Sequence, residues 1–152
     1  MAVHSIKTIQ FIPADAGKVW SFFSNPANLQ AITPPYMGFK VISKHHGHTI
    51  YAGQIIEYKV KPLLGIPLYW MTEITHVKDG QYFVDEQRFG PYSLWHHQHH
   101  FKSVAGGVEM TDIVHYKLPL WWLGDMAQAL FVKKQLEGIF KYREQKVAEL
   151  FG

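Results

Sequence analysis

His97 and His99 stand one residue apart in the run Trp95-His96-His97-Gln98-His99-His100-Phe101, and an aspartate lies in each neighbouring extended run, Asp85 before it and Asp112 after it. Side chains on a strand alternate with a period of two, so Trp95, His97, His99 and Phe101 share one face, and its large hydrophobic ends make that face the inner one. His96, Gln98 and His100 then turn to solvent. The same alternation groups Phe83 with Asp85 and Gln87, Trp70 with Thr72 and Ile74, and Met110 with Asp112, Val114 and Tyr116. Two imidazoles and two carboxylates are thereby expected in one interior. Buried charges require partners, and a His–Asp pairing accounts for both residue types together. Such a cluster can orient a ligand or move protons, with His97 or His99 as base and Asp85 or Asp112 as the orienting group. It can equally be a satisfied network pinning adjacent strands. The residues by themselves leave both readings open.

A metal reading exists as well. His-x-His on a strand sets two imidazoles about 6.5 Å apart along the backbone, and a carboxylate would supply a third ligand. No third histidine has a fitting spacing and a hydrogen-bonded pair needs no metal, so neither a metal nor a cofactor is expected. His45, His46 and His48 fall in a turn and are read as solvated. The serine-hydrolase elbow G-x-S-x-G, the phosphate loop G-x-x-x-x-G-K, the zinc helix H-E-x-x-H and the dinucleotide loop G-x-G-x-x-G are all absent.

The elements that must position these residues follow from patterning. Residues 3–12 form a strand, interrupted by Pro13, and Asp15 caps a helix whose apolar face carries Val19, Trp20, Phe22 and Phe23. Asn25-Pro26 ends that helix before a second helical turn at 27–32, and Thr33-Pro34-Pro35 breaks the chain. Strands are expected at 39–44, 49–60, 68–77, 81–89, 92–103 and 108–118, joined by short turns such as Lys78-Asp79-Gly80 and Ala105-Gly106-Gly107. Tight turns make the sheet an antiparallel meander. From Leu123 to Leu150 apolar residues recur at threes and fours, which predicts a long amphipathic helix, with Gly138 inside it either marking a close approach or simply tolerated. The fold class is therefore α+β: a curved seven-stranded antiparallel sheet around a long C-terminal helix, with two short helices between the first and second strands. A ligand cavity is expected where sheet and helix fail to close.

The 152 residues are 47% hydrophobic, 18% charged and 15% aromatic, which fits a single domain over 1–152 and excludes global disorder. There is no cysteine, hence no disulfide framework and no thiolate metal site, and a cytoplasmic setting is expected. The formal charge is +3 with basic residues scattered, a poor nucleic-acid footprint, and no nucleic-acid partner is expected. Ten histidines are the anomaly, making solubility and partner binding sensitive to pH. The N-terminus lacks signal-peptide features, and the most apolar stretch, 118–132, is interrupted by Asp125, so no stable membrane insertion is expected.

The order of elements, with the pattern F-x-D-x-Q-x-x-G-P-Y at 83–92, W-x-H-x-H-x-F at 95–101 and D-x-V-x-Y-x-L-P at 112–119, resembles the SRPBCC superfamily. This group contains the START and Bet v 1-like helix-grip proteins, and the resemblance extends to small bacterial ligand-binding proteins labelled cell-division-inhibitor-like. It implies a deep cavity between sheet and C-terminal helix and names no ligand. The expected function is binding or carrying a small hydrophobic molecule, through Trp70, Thr72, Phe83, Asp85, Gln87, Trp95, His97, His99, Phe101, Asp112 and Tyr116, by a monomer or homodimer. The alternatives are an enzyme of cyclase, lyase or hydrolase type using a His/Asp pair for proton transfer, and a regulatory interaction module. For the latter, a rim carrying Trp121 and Trp122 would engage the partner. The apolar loops 62–67 and 119–123 suggest a cavity gate, a dimer contact or a lipid-touching rim, or else pack on one another as the end of the core.

Overall fold

The computed structural model describes residues 3–44, 49–63, 65–119 and 126–152. Strand β1 (His4–Ile12) alternates inward and outward along its length. Helix α1 (Ala16–Phe23) is capped by Asp15, whose carboxylate accepts from the Lys18 N–H at 3.2 Å, and it buries Val19, Trp20 and Phe23. Two 3-10 helices follow, Pro26–Ile32 and Pro35–Met37, so three helical segments occupy the connection where two were expected. Pro34-Pro35 does not only break the chain. The ring of Pro35 suits the first position of a new turn, which Gly38 closes with φ at 53°.

Two expected strands change extent. Strand β2 is only Lys40–Val41, because Ile42 and Ser43 both send their N–H to the Glu57 carbonyl, at 2.9 and 3.4 Å, and the ladder stops. Strand β3 (Ile55–Leu63) starts later than position 49: the Ile50 N–H is taken by the Ser24 carbonyl at the end of α1, and Tyr51 to Gln54 closes a turn. At its other end β3 runs through the region read as an apolar loop. Leu63 pairs with Ile66 at the tip of a hairpin with β4 (Ile66–Lys78).

Strands β5 (Tyr82–Phe89), β6 (Leu94–Val104) and β7 (Gly107–Lys117) complete a seven-stranded antiparallel sheet of order β1-β7-β6-β5-β4-β3-β2. Gly107 is required at its corner, since a Cβ there would lie 2.1 Å from the Ile12 carbonyl oxygen. Helix α2 (Met126–Phe151) buries Val132, Leu136, Phe140 and Val147 against the sheet and its helical connection. Gly138 faces away from this stripe with nothing within 4 Å of where a Cβ would sit, so it marks no close approach. Among the described residues no helix is long and apolar enough to cross a membrane. His45, His46, His48, Trp121 and Trp122 lie outside the described residues, as do Leu120, Leu123 and Asp125.

Candidate functional site

A cavity of about 700 Å³ lies between the inner face of the sheet, α2 and the helical connection. Ile66 and Phe131 line it and are half-exposed, marking the side on which it opens. Near this mouth the Gln135 amide donates to the Pro62 carbonyl, tying the β3–β4 hairpin to α2.

Of the residues singled out from sequence, Trp70, Thr72, Phe83, Asp85, Trp95, His97 and His99 line the cavity together. Gln87, Phe101, Asp112 and Tyr116 do not. Phe101 packs edge-on against Trp20, 5.4 Å between centroids, and Tyr116 is 2% exposed beneath Tyr92 and Trp95. Gln87 clamps the turn after β5: its amide donates to the Tyr92 carbonyl at 2.6 Å and its Oε1 accepts from the Tyr92 N–H at 3.0 Å. Gly90 makes room for this clamp, since a Cβ there would sit 2.7 Å from Gln87 Oε1. The turn in turn delivers Tyr92 to Trp70 and Trp95, whose rings form one aromatic wall.

Asp112, 2% exposed, is the floor beneath the histidines. Its Oδ1 is 2.8 Å from His97 Nε2, 3.2 Å from His99 Nδ1, an approach not aligned for a hydrogen bond, and 3.8 Å from Arg143 Nη2. Asp85, at the cavity wall, receives His99 Nε2 at 2.5 Å and stands 3.8 Å from His97 Nδ1. The two imidazoles stack with centroids 3.7 Å apart, and Phe83 covers the other face of His99 at 4.0 Å. His96, Gln98 and His100, on the opposite face, are half-buried rather than fully solvated. They form a chain to Glu86, with His96 Nδ1 2.7 Å from Glu86 Oε1 and His100 Nε2 2.9 Å from Gln98 Oε1.

Burial opposes charge on every member of this cluster, and the neighbours decide which charges survive. For Asp112, burial pushes the carboxyl up, but Arg143, the bond to His97 and the nearness of His99 outweigh it and hold it well below the usual carboxylate range. Asp85 is likewise held low, its burial outweighed by His97, His99 and Arg143. His97 is pushed down by burial and by the charge of His99, while His99 is raised, the pull of Asp112 and Asp85 overcoming its burial. Of the two rings, His99 is the one favoured to hold a proton and His97 the one favoured to be neutral.

Arg143 was not foreseen. It lies on the buried stripe of α2, between Phe140 and Val147, is 8% exposed and lines the cavity, with its guanidinium over the rings of Phe23 and Phe140 at 5.6 and 6.0 Å. The signal was its position: Leu136, Phe140, Arg143 and Val147 keep the spacing of one helical face. Tyr58 also lines the cavity unforeseen, its hydroxyl near Thr72 and its ionisation pushed up by burial and by Asp85.

Asp85, His97 and His99 bring three possible ligand atoms within 4.8 Å of one another, the set of described residues best suited to a metal ion. Two of those atoms are already bonded to each other, and the nearby Arg143 cation disfavours a second positive charge. What the arrangement can do without an ion is accept, donate or relay a proton at the cavity wall.

The sheet order, the single long helix lying across it and the cavity between them define the Bet v 1-like helix-grip fold. Solved structures agree along nearly the whole chain. Ara h 8.0201 is 16% identical, with a TM-score of 0.63 over 96% of this chain and 98% of its own. The ginseng major latex-like protein 151 from Panax ginseng is 9% identical, with a TM-score of 0.65 over 98% of this chain and 97% of its own. A protein from Arthrobacter aurescens is 14% identical, with a TM-score of 0.71 over 97% and 91%. No family model matches the chain, and no curated protein matches it.

Proposed function

We propose that this protein binds or carries a small hydrophobic molecule in the cavity between the sheet and α2. The observation that carries the reading is the cavity itself: about 700 Å³, walled by side chains such as Leu29, Ile56, Trp70, Trp95, Leu136 and Phe140, with its ionisable groups Asp85, His97, His99 and Arg143 gathered at one place. That size and distribution suit a ligand whose body is apolar and whose orientation is set by few polar contacts. Titration with an uncharged apolar dye, N-phenyl-1-naphthylamine, tests it: a saturable rise in emission is expected from the folded protein. No saturable signal from protein of native circular dichroism removes the reading.

A second reading, proton-transfer catalysis on an apolar substrate, is favoured by one observation. The His99–Asp85 bond of 2.5 Å lies at the cavity wall rather than beneath it.

A further inference from the structure

Among the described residues on the wall, Arg143 is a buried side chain whose hydrogen-bonding capacity is almost wholly unused. A guanidinium carries five N–H donors, and buried polar groups are ordinarily satisfied. Here the group makes a single ion-pair contact, Nη2 to Asp112 Oδ1 at 3.8 Å, which is beyond hydrogen-bond reach, and its Nε is buried without a partner. The Asp112 oxygen nearest to it already faces His97 at 2.8 Å and His99 at 3.2 Å. Several other polar side chains on the described wall are committed: Gln135 to Pro62, Asn28 to the Phe22 carbonyl, Thr33 to the Leu29 carbonyl and Thr72 to Trp70.

Asp85 is the only acidic side chain lining the cavity among the described residues, and it is bonded to His99 at 2.5 Å, so the described wall offers the guanidinium no acceptor of its own. An oxyanion supplied from outside would satisfy its donors. A planar carboxylate matches the fork of a guanidinium, and a desolvated apolar surround strengthens that pairing. We infer that the ligand is an amphipathic carboxylic acid, its apolar body in the cavity and its carboxylate on the free edge of Arg143. The inference rests on the ligand-binding reading and narrows it.

Two probes of equal chain length separate the head group from the body. With N-phenyl-1-naphthylamine bound, dodecanoate is expected to displace the dye at concentrations at least about tenfold lower than dodecan-1-ol, although the alcohol is the more hydrophobic of the two. In Arg143→Met the dye still binds, and dodecanoate falls to the level of the alcohol or below it. Should removal of the cation leave Asp112 too exposed to charge for the variant to fold, Arg143→Met with Asp112→Asn removes both charges and carries the same expectation. Equal or stronger displacement by the alcohol on the unaltered protein overturns the inference, as does a preference for dodecanoate that survives loss of Arg143. Either result leaves the cavity reading standing, whereas failure of the dye to bind removes both.

Discussion

His97 and Asp112 are not partners in the β6–β7 register, where His97 faces Val114 and His99 faces Asp112, yet the 2.8 Å bond runs diagonally from His97 to Asp112. On the other side the pattern repeats: His97 faces Asp85 across β5–β6, and the 2.5 Å bond to Asp85 comes from His99. Diagonal neighbours on a sheet lie within reach of long or aromatic side chains. The crossed bonds tie three strands together through two stacked rings.

Unequal costs follow for removing each ring. His97→Leu takes the short bond from Asp112, a carboxylate with 3% side-chain exposure, and a loss of about 3 kcal/mol or more is expected. His99→Leu takes the bond from Asp85, whose side chain is 16% exposed at the cavity wall, where water can replace the imidazole, and about 1–2 kcal/mol is expected. Urea unfolding of both variants measures the difference. Equal losses would contradict the division into floor and wall.

The opposite shifts of the two imidazoles give stability a two-sided dependence on pH. His97 sits below the usual imidazole value, so its contribution is present above the unfolded value of about 6.5 and is lost as pH falls toward its folded value. His99 sits above it, so its contribution is present below about 6.5 and is lost as pH rises through its folded value. Asp85 and Asp112, both held low, add stability present above their unfolded value and lost in acid. Urea midpoints should therefore peak near the unfolded imidazole value, with the alkaline decline flattened in His99→Gln. An unchanged alkaline limb in that variant would refute the upward shift of His99.

The Gln87 clamp links a turn to the aromatic wall. Gly90 has φ at 156° and no room for a side chain, so Gly90→Ala is expected to displace Gln87 and destabilise by about 1–3 kcal/mol. Because the clamp delivers Tyr92 to Trp70 and Trp95, dye affinity should fall as well. Chemical unfolding and dye titration read the two effects, and loss of neither would show the clamp to be idle.

Gly138 offers the opposite case. It lies in the interior of α2, exposed, with open space around the missing Cβ, so Gly138→Ala is expected to stabilise by about 0.5–1 kcal/mol. Thermal unfolding would show a higher midpoint, and a lower one would mean that the helix needs the glycine for a reason not visible in its surroundings.

Alternation along 95–101 was enough to put His97 and His99 on the inner face, and the short turns were enough to make the sheet antiparallel, because both depend only on neighbours in the chain. Strand limits were less legible at β2 and β3, where Ile42, Ser43 and Ile50 send their N–H groups to carbonyls that spacing alone does not bring near. Gln87 alternates with Phe83 and Asp85 like a wall residue, but its amide is taken by the Tyr92 backbone once the turn at Gly90 folds back. Which aspartate each histidine would bond, and that Arg143 would join them, was settled only by tertiary packing. Periodicity determines the direction in which a side chain leaves its own element, whereas its partner depends on the diagonal offset between strands and on where α2 comes to rest across the sheet.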